Sequence, residues 1–356
     1  MYIKNGRVIT EDDVIHGFIG IKDGIITMVG GGQPPDETPD DIDAQGNLVT
    51  PGFIDIHCHG GGGALFADDP YTSYMAHLKN GTTGILPTIG YNMPYEKFIN
   101  AVALIAGMKE KGVLGINCEG PYINSKYGAD TSLVKSFNMH EAMEIYEAGN
   151  GRIRVWTFSP EIQGADELKA FILSKPEVIA CAGHTECNVR ELKGIELICH
   201  LFDAMGPKER VVKAIHENGT AEIVLASDSL YAELIADSAG VHVPAELLKI
   251  AYRCLGDRCI LISDAVSTVN EGPDINYNEM GELSGSFLSV NKAVVNMKDH
   301  TGMGWPEAVR LGSLNPAELL KIDKETGSIK PGKRADIVVM DEKANVFSVI
   351  QDGRRI

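Results

Sequence analysis

The sequence predicts an α/β fold, a (β/α)8 barrel of the TIM type, with a small β-sandwich domain built from both chain ends. In the middle of the chain, short apolar runs alternate with helix-like stretches, and most of these runs end in His, Glu or Asp. Such strand–loop–helix repetition is typical of a parallel barrel wrapped in helices. At both ends, apolar and polar residues alternate with period two, which indicates half-buried strands.

The barrel is predicted over residues 49–326. Its candidate strands are the runs FIDIHCHG, TTGILPTIG, VLGINCEGP, RIRVWTFSPE, VIACAGHTE, GIELICHLF, AEIVLASDS and CILISDAVS. The carboxyl ends of parallel barrel strands converge on one mouth, where chemistry takes place in this architecture. We therefore expect the polar residues at the ends of these runs to lie together.

Residues 1–48 and 327–356 are predicted to pair into the small sheet domain. Two-residue turn signals occur in both segments: Asn5-Gly6, Asp23-Gly24, Pro331-Gly332 and Asp352-Gly353. Asn, Asp and Gly tolerate the left-handed backbone conformations that tight hairpin turns need.

The charge of the chain excludes several classes of partner. The formal net charge is −17 and no Lys/Arg cluster offsets it locally, so nucleic acid and anionic membrane surfaces would be repelled. The opening segment MYIKNGRVIT lacks an apolar signal core, and no apolar run approaches the ~18 residues that span a bilayer. We expect a cytoplasmic protein that acts on a small molecule.

The seven cysteines are odd in number and have neither zinc-ribbon spacing nor a compact disulfide framework. We expect reduced, mostly buried thiols. Cys58, Cys118 and Cys199 adjoin candidate metal ligands, so direct metal binding stays open, although small apolar filling of barrel strands is favoured.

Two histidines in the first candidate strand indicate a metal site. His57 and His59 are two residues apart, so their imidazoles project to one face while Cys58 points away. The Gly-rich stretch 60–63 that follows would let a substrate approach the backbone. A hydrogen-bonded histidine pair in the core is the alternative.

Three further donors also fall at strand ends. Glu119 precedes a Gly-Pro turn, and His184 and His200 each follow an apolar run. Imidazole and carboxylate donors from separate strands form the mixed ligand sets of zinc hydrolases. With His57 and His59, they predict a site for a divalent metal, and zinc, iron, manganese and cobalt are all compatible with these donors.

Asp264 ends the last strong candidate strand and is the candidate for proton transfer. A carboxylate beside a metal site can accept a proton from the attacking water and pass it to a departing amine. The alternative is an aspartate that caps a following helix.

Six segments, in order along essentially the whole chain, resemble the motifs of the N-acetylglucosamine-6-phosphate deacetylases of the amidohydrolase superfamily. They are PGFIDIHCHGGGG, EGPYIN, GHTECN, HLFDAM, ADSAGVHV and LISDAV. The resemblance implies that the main ion is held by Glu119, His184 and His200. It implies that His57 and His59 complete a second site with Glu119 in two-metal members.

The same resemblance assigns further roles. It implies that Asp264 is the general base and then the general acid, that His242 contacts the bound sugar phosphate, and that the backbone of Asp203 and Ala204 lines the pocket. It also implies a homodimer.

Several positions depart from the family pattern. Lys208 and Arg210 stand where an Arg-Glu-Pro-Gly stretch is usual, and they are candidate phosphate ligands that do not align cleanly. Asp130 occupies a position usually held by His or Gln, where an acidic residue would poorly support a developing oxyanion. Asp203 replaces a common Asn, and two extra residues precede the His242 motif.

We therefore expect a metal-dependent deacetylase that releases acetate from N-acetylglucosamine 6-phosphate or its galactosamine isomer. An amidohydrolase acting on a different N-acyl or cyclic amide substrate, with or without a phosphate, stays open because the departures fall in substrate-binding loops. A catalytically silent barrel is the third alternative, since barrels tolerate loss of activity.

Overall fold

The structure is a computed structural model that describes residues 1–207, 218–267 and 274–356. Its strands, in chain order, are β1 Tyr2–Ile9, β2 Val14–Lys22, β3 Ile25–Gly31, β4 Ile42–Asp43, β5 Leu48–Pro51, β6 Phe53–Cys58, β7 Gly60–Gly61, β8 Ala64–Leu65, β9 Thr82–Gly90, β10 Ile116–Glu119, β11 Ile153–Phe158, β12 Ile179–Ala182, β13 Leu197–Ile198, β14 Tyr231–Leu234, β15 Cys259–Leu261, β16 Ile275–Tyr277, β17 Leu283–Ser286, β18 Ile337–Met340, β19 Val346–Gln351 and β20 Arg354–Arg355.

The helices in the described residues are α1 Pro70–Lys79, α2 Tyr95–Ala106, α3 Met139–Ala148, α4 Ala165–Leu173, α5 Thr220–Leu225, α6 Ala245–Leu255, α7 Val290–Thr301, α8 Trp305–Leu311 and α9 Leu314–Leu319. Local sequence explains several of their starts. Helix α1 begins with Pro70 after Asp69, whose carboxylate accepts the backbone N–H of Thr72, an N-cap that satisfies one free donor of the first turn.

Eight parallel strands form the predicted barrel. Their order is β6-β9-β10-β11-β12-β13-β14-β15, and the seam closes through backbone hydrogen bonds from Asp264 N to His57 O (2.9 Å) and from His59 N to Ala265 O (2.7 Å). One or more helices follow each strand except β12. The predicted (β/α)8 architecture is confirmed, and the seam lies at the same end as the polar strand termini.

One of the eight predicted strands was wrong. The run AEIVLASDS contains helix α5, and the seventh barrel strand is β14, a few residues later. The β-branched Ile223 and Val224 favoured a strand. However, the carboxylate of Glu222 accepts the N–H of Gly219 at the helix start (3.0 Å), and Ala, Glu and Leu are strong helix formers.

The two chain ends form one mixed sheet, as predicted. Its order is β3-β2-β1-β5-β18-β19-β20, with β4 beside β1, and the ends meet where β5 pairs antiparallel with β18. The sheet has its own apolar cluster, which includes Ile19, Val49 and Ile337. The domain boundaries at residues 48/49 and 326/327 stay a prediction.

The turn signals in this sheet had different outcomes. Asp23-Gly24 and Asp352-Gly353 have positive φ and make the tight β2–β3 and β19–β20 turns, as predicted. The Asn5-Gly6 hairpin was wrong, because β1 continues through these residues with an irregular register. A Cβ on Gly6 would overlap the side chain of Val49, so this glycine serves close packing.

The large apolar cluster of the molecule fills the barrel and the space beneath its helices. All seven cysteines are free, and all except Cys254 are buried, so the prediction of reduced, mostly buried thiols is confirmed. Among the described residues, no helix combines the length and apolar character needed to cross a bilayer.

Candidate metal centre

Six predicted site residues meet at the carboxyl ends of the barrel strands. They are His57, His59, Glu119, His184, His200 and Asp264. All are buried except His59, which is partly exposed. A cavity of about 380 Å³ opens above them and is lined by five of the six, with His57 lying deeper.

The backbone turns sharply at three of these positions. His184, His200 and Asp264 have φ values of 49°, 24° and 48°, in a region that non-glycine residues rarely adopt and that costs about 1–3 kcal/mol for each residue. Each residue follows the end of a barrel strand within a few positions. The strained turns aim these side chains into the mouth.

Glu119 lies at the centre of the cluster. Its Oε1 atom is 2.8 Å from His184 Nε2 and 3.2 Å from His200 Nε2. The two imidazole Nε2 atoms are 3.2 Å apart. Donors that share one tetrahedral zinc at its usual bond lengths lie ~3.4 Å from one another, so this spacing fits a single cation.

The outer nitrogen of each of three histidines donates to an acceptor. The Nδ1 atoms of His184, His200 and His57 donate to Tyr127 O (3.3 Å), Asp203 O (3.3 Å) and Glu233 Oε2 (2.9 Å), respectively. In a neutral imidazole the other nitrogen then carries a lone pair. These Nε2 lone pairs converge on the Glu119 carboxylate, and a proton or a metal cation is needed to relieve their repulsion.

A second group of donors lies on the other side of Glu119. His59 Nε2 is 3.2 Å from Asp264 Oδ1 and 3.3 Å from Glu119 Oε2. His57 Nε2 is 3.6 Å from Asp264 Oδ1, is buried, and has no hydrogen-bond partner in the described part of the chain. The Oε2 atom of Glu119 thus faces His59, but its Oε1 atom, which faces the first group, is also 3.6 Å from His57 Nε2. The carboxylate therefore lies between the two groups of donors.

The electrostatics favour a cation. Burial alone would raise the pKa of Glu119, but the nearby His57 and the close contacts to His184 and His200 hold it well below its usual value. Burial would lower the pKa values of His59 and His200, yet the neighbouring carboxylates raise both to about 10. The carboxylates therefore hold protons on these imidazoles, and a divalent ion would displace them.

Two of the three cysteines that adjoin the ligands lie near other potential donors. Cys199 Sγ is 3.6 Å from His57 Nδ1 and 4.0 Å from Glu119 Oε1, while Cys58 lies with Asp55 and His77 in a separate buried group. Burial raises the pKa of the Cys199 thiol, which keeps it neutral. Cys118 belongs to none of the donor groups formed by the described residues.

Three of the predicted substrate-binding residues line the cavity: Asp203, Ala204 and His242. His242 Nδ1 donates to Asp203 Oδ2 (3.3 Å), and its buried Nε2 has no hydrogen-bond partner among the described residues. The backbone N–H of His242 donates to the Asp237 carboxylate (2.8 Å). The imidazole is therefore held from behind, with one nitrogen free for a ligand.

Of the other three predicted substrate-binding residues, one lies outside the cavity lining and two are outside the described residues. Asp130 is exposed and accepts a hydrogen bond from Ser132 (2.7 Å), whereas its neighbours Gly128 and Ala129 do line the cavity. Lys208 and Arg210 lie outside the described residues. Their roles stay predictions.

The sequence reasoning missed several residues at the site. Glu233 contacts His57 and His200, Tyr91 packs edge-on against His184 with ring centroids 4.9 Å apart, and Glu282–Gly285 form one cavity wall. Glu233 had a detectable signal, since it is the one carboxylate in the apolar run YAELIA. Tyr91 and Glu282–Gly285 carried no such signal in the sequence, because only long-range packing brings them to the mouth of the barrel.

The family model described as "Amidohydrolase family" matches residues 48–356. The chain belongs to this family. Members of the amidohydrolase family are metal-dependent hydrolases. The family membership predicted from the motifs is confirmed.

Two relatives match nearly the whole chain. An N-acetylglucosamine-6-phosphate deacetylase from Bacillus subtilis is 29% identical over 99% of this chain and 96% of its own. An N-acetylgalactosamine-6-phosphate deacetylase from Escherichia coli O157:H7 is also 29% identical, over 99% and 98%.

A solved structure of a similarly named enzyme is also similar to this chain over its whole length. A variant of the Mycobacterium smegmatis N-acetyl-D-glucosamine-6-phosphate deacetylase, in complex with N-acetyl-D-glucosamine 6-phosphate, is 25% identical and covers 100% of this chain and 98% of its own, with a TM-score of 0.87. The resemblance predicted from the motifs is therefore confirmed.

Proposed function

We propose that this amidohydrolase removes the N-acetyl group of an amino-sugar 6-phosphate, either N-acetylglucosamine 6-phosphate or its galactosamine isomer, to give the amine and acetate. The observation that carries the proposal is the set of converging His and carboxylate donors, with Asp264 beside them, at the floor of a cavity of about 380 Å³. That volume lies within the range of small-molecule sites. Relatives with these substrates in their names support the substrate class.

Different residues of the protein would bind the metal and the sugar. Glu119, His184 and His200 would hold the main divalent ion, and His57 and His59, with Glu119, would hold a second ion. Such an ion, when bound, polarises the amide carbonyl and eases ionisation of water. His242, Asp203 and Ala204 would bind the sugar portion.

Asp264 is proposed to move the proton. Its carboxylate oxygen lies between His57 and His59 and faces the cavity, so it can take a proton from the attacking water. It then delivers that proton to the amide nitrogen, because an amine leaves readily only when protonated.

The test is a comparison of substrates. Purified protein is assayed for free amine from N-acetylglucosamine 6-phosphate, its galactosamine isomer and the unphosphorylated forms of both. We expect turnover of at least one phosphorylated sugar, loss of that turnover after chelation, and recovery on adding a divalent ion. An absence of turnover of either phosphorylated sugar by metal-replete protein would rule out the proposal.

One observation favours a second candidate, an amidohydrolase that acts on a different N-acyl or cyclic amide substrate, in particular one without a phosphate. The cavity wall formed by the described residues contains no Lys or Arg, but Asp203 and Glu282 belong to it. Acidic groups disfavour an anionic ligand. Faster turnover of an unphosphorylated amide in the same panel would select this candidate.

The finer properties are also proposals. We propose zinc as the ion because the donors are imidazole and carboxylate, with iron, manganese or cobalt as alternatives that elemental analysis distinguishes. We propose a cytoplasmic homodimer: a sugar phosphate is too highly charged to cross a membrane unaided, and the family resemblance supports the dimer. Sedimentation measures the assembly.

A further inference from the structure

Glu233 is a buried carboxylate that the proposed reaction does not use. It belongs to strand β14, has no exposed surface, and lies behind the histidines, outside the cavity lining. A carboxylate is expensive to bury without partners. Its contacts therefore indicate what it does.

Among the described residues, both donors that reach Glu233 belong to candidate metal ligands. Its Oε2 atom accepts Nδ1–H of His57 at 2.9 Å and the backbone N–H of His200 at 3.1 Å. The backbone carbonyl of Glu233 accepts N–H of Leu201, the residue after His200 (2.8 Å). One residue thus connects the first and sixth barrel strands at the level of the site.

The contact to His57 decides which nitrogen this imidazole presents. Because a carboxylate can only accept, Nδ1 must carry the hydrogen, and the Nε2 lone pair then faces Glu119 and Asp264. Glu233 Oε1 is buried and has no hydrogen-bond partner among the described residues, so the carboxylate is held chiefly by its contacts to these two ligands.

We propose that Glu233 is a positioning residue that holds His57 as a metal ligand and increases the affinity of the site for the ion bound by His57 and His59. The proposal rests on the proposed metal-dependent function. Carboxylates that accept the outer N–H of a ligating histidine fix its orientation and increase its basicity, and their loss typically costs ~10- to 100-fold in metal affinity.

The experiment measures metal binding and thermal unfolding without substrate. Metal-free parent protein and the Glu233→Gln variant are titrated with zinc and with manganese, and the midpoint of unfolding is recorded with and without the ion. Glutamine keeps the shape but loses the negative charge. We expect affinity for the ion at His57 and His59 to fall ~10-fold or more, and the rise in unfolding temperature caused by metal to shrink.

A matched control is Asp336→Asn. Asp336 is also buried and hydrogen-bonded, but it contacts Arg334 and Thr326 next to the terminal sheet. A merely structural role would lower the unfolding temperature equally with and without metal, which is the result expected for the control. The same pattern in Glu233→Gln would overturn the proposal.

A double-mutant cycle tests whether Glu233 acts through His57. If it does, Glu233→Gln should add little to the loss of metal affinity already caused by His57→Asn, because contacting residues that act together are non-additive. Fully additive losses would overturn the proposal. Glu233→Asp, which keeps the charge on a shorter side chain, should show an intermediate loss and replaces Glu233→Gln if that variant does not fold.

The outcomes also separate this proposal from the proposed function. Parent protein that binds no divalent ion would overturn both. Parent protein that binds metal and deacetylates, beside a Glu233→Gln variant with unchanged affinity, would overturn only the role of Glu233. Metal binding that depends on Glu233 in a protein that deacetylates neither phosphorylated sugar would support this role while ruling out the proposed function.

Discussion

The two halves of the candidate metal centre are supported in different ways. On one side of Glu119, the outer nitrogens of His184 and His200 donate to backbone carbonyls, those of Tyr127 and Asp203. On the other side, His57 donates to the side chain of Glu233. A backbone acceptor survives most substitutions, whereas a side-chain acceptor is lost with one mutation.

This difference predicts that the two halves differ in how well they retain a metal ion after nearby mutations. The His184/His200 half should keep its ion through many changes nearby, and the His57/His59 half should depend on a few side chains. Both halves share Glu119, so loss of an ion from one half changes the charge felt by the other. The variants below test the comparison, from the largest expected effect to the smallest.

Asp264→Asn is expected to have the largest effect on turnover. Asp264 lies in the His57/His59 half, 3.2 Å from His59 Nε2, and the amide cannot carry the proton. We expect kcat to fall ~10²- to 10⁴-fold while the ion of the other half stays bound. Steady-state kinetics measure kcat, and elemental analysis measures the bound ion. Near-normal turnover would refute the role of Asp264.

Paired variants compare the halves directly. His200→Asn should lower affinity for the main ion by more than ~100-fold, beyond the loss typical of residues outside the ligand set, and activity should fall with it. His57→Asn should leave that main ion bound. Metal titration of the two proteins under one set of conditions provides the comparison, and equal losses of the main ion would contradict it.

Gly128→Ala should disturb the His184/His200 half of the metal centre. Gly128 has a φ of 106°, and an added Cβ would overlap the Tyr91 hydroxyl and lie 2.7 Å from His184 Nδ1. We expect kcat/KM to fall about 10- to 100-fold, since displacements near 1 Å in an active site can cost this much. Gly151→Ala is the control, because its Cβ would meet no atom within 4 Å although its φ is also positive (72°).

Cys199→Ala is expected to have the smallest effect on metal binding. The thiol lies between the halves, but its neutral sulfur is only at weak-contact distance from His57 and Glu119. We expect a change below about threefold in metal affinity and about 1 kcal/mol of destabilisation from the lost packing. Loss of a bound ion would instead identify Cys199 as a ligand.

Much of this organisation could be predicted because it depends on local periodicity. Seven of the eight barrel strands lie within their predicted runs, and the sixth and seventh show where local periodicity stops being informative. Strand β13 has only two residues, and the run before β14 became helix α5. β-branched residues favour a strand only when the surrounding packing does, and here capping at Gly219 decided otherwise.

By itself, the sequence determined which donors end the barrel strands, because side-chain alternation and the shared direction of parallel strands carry polar termini to one mouth. Tertiary structure alone decided that Glu233 would lie 2.9 Å from His57. These residues are 176 positions apart, and their meeting depends on how the barrel closes and how its strands are staggered. No local pattern encodes that register, because it results from packing of the whole sheet.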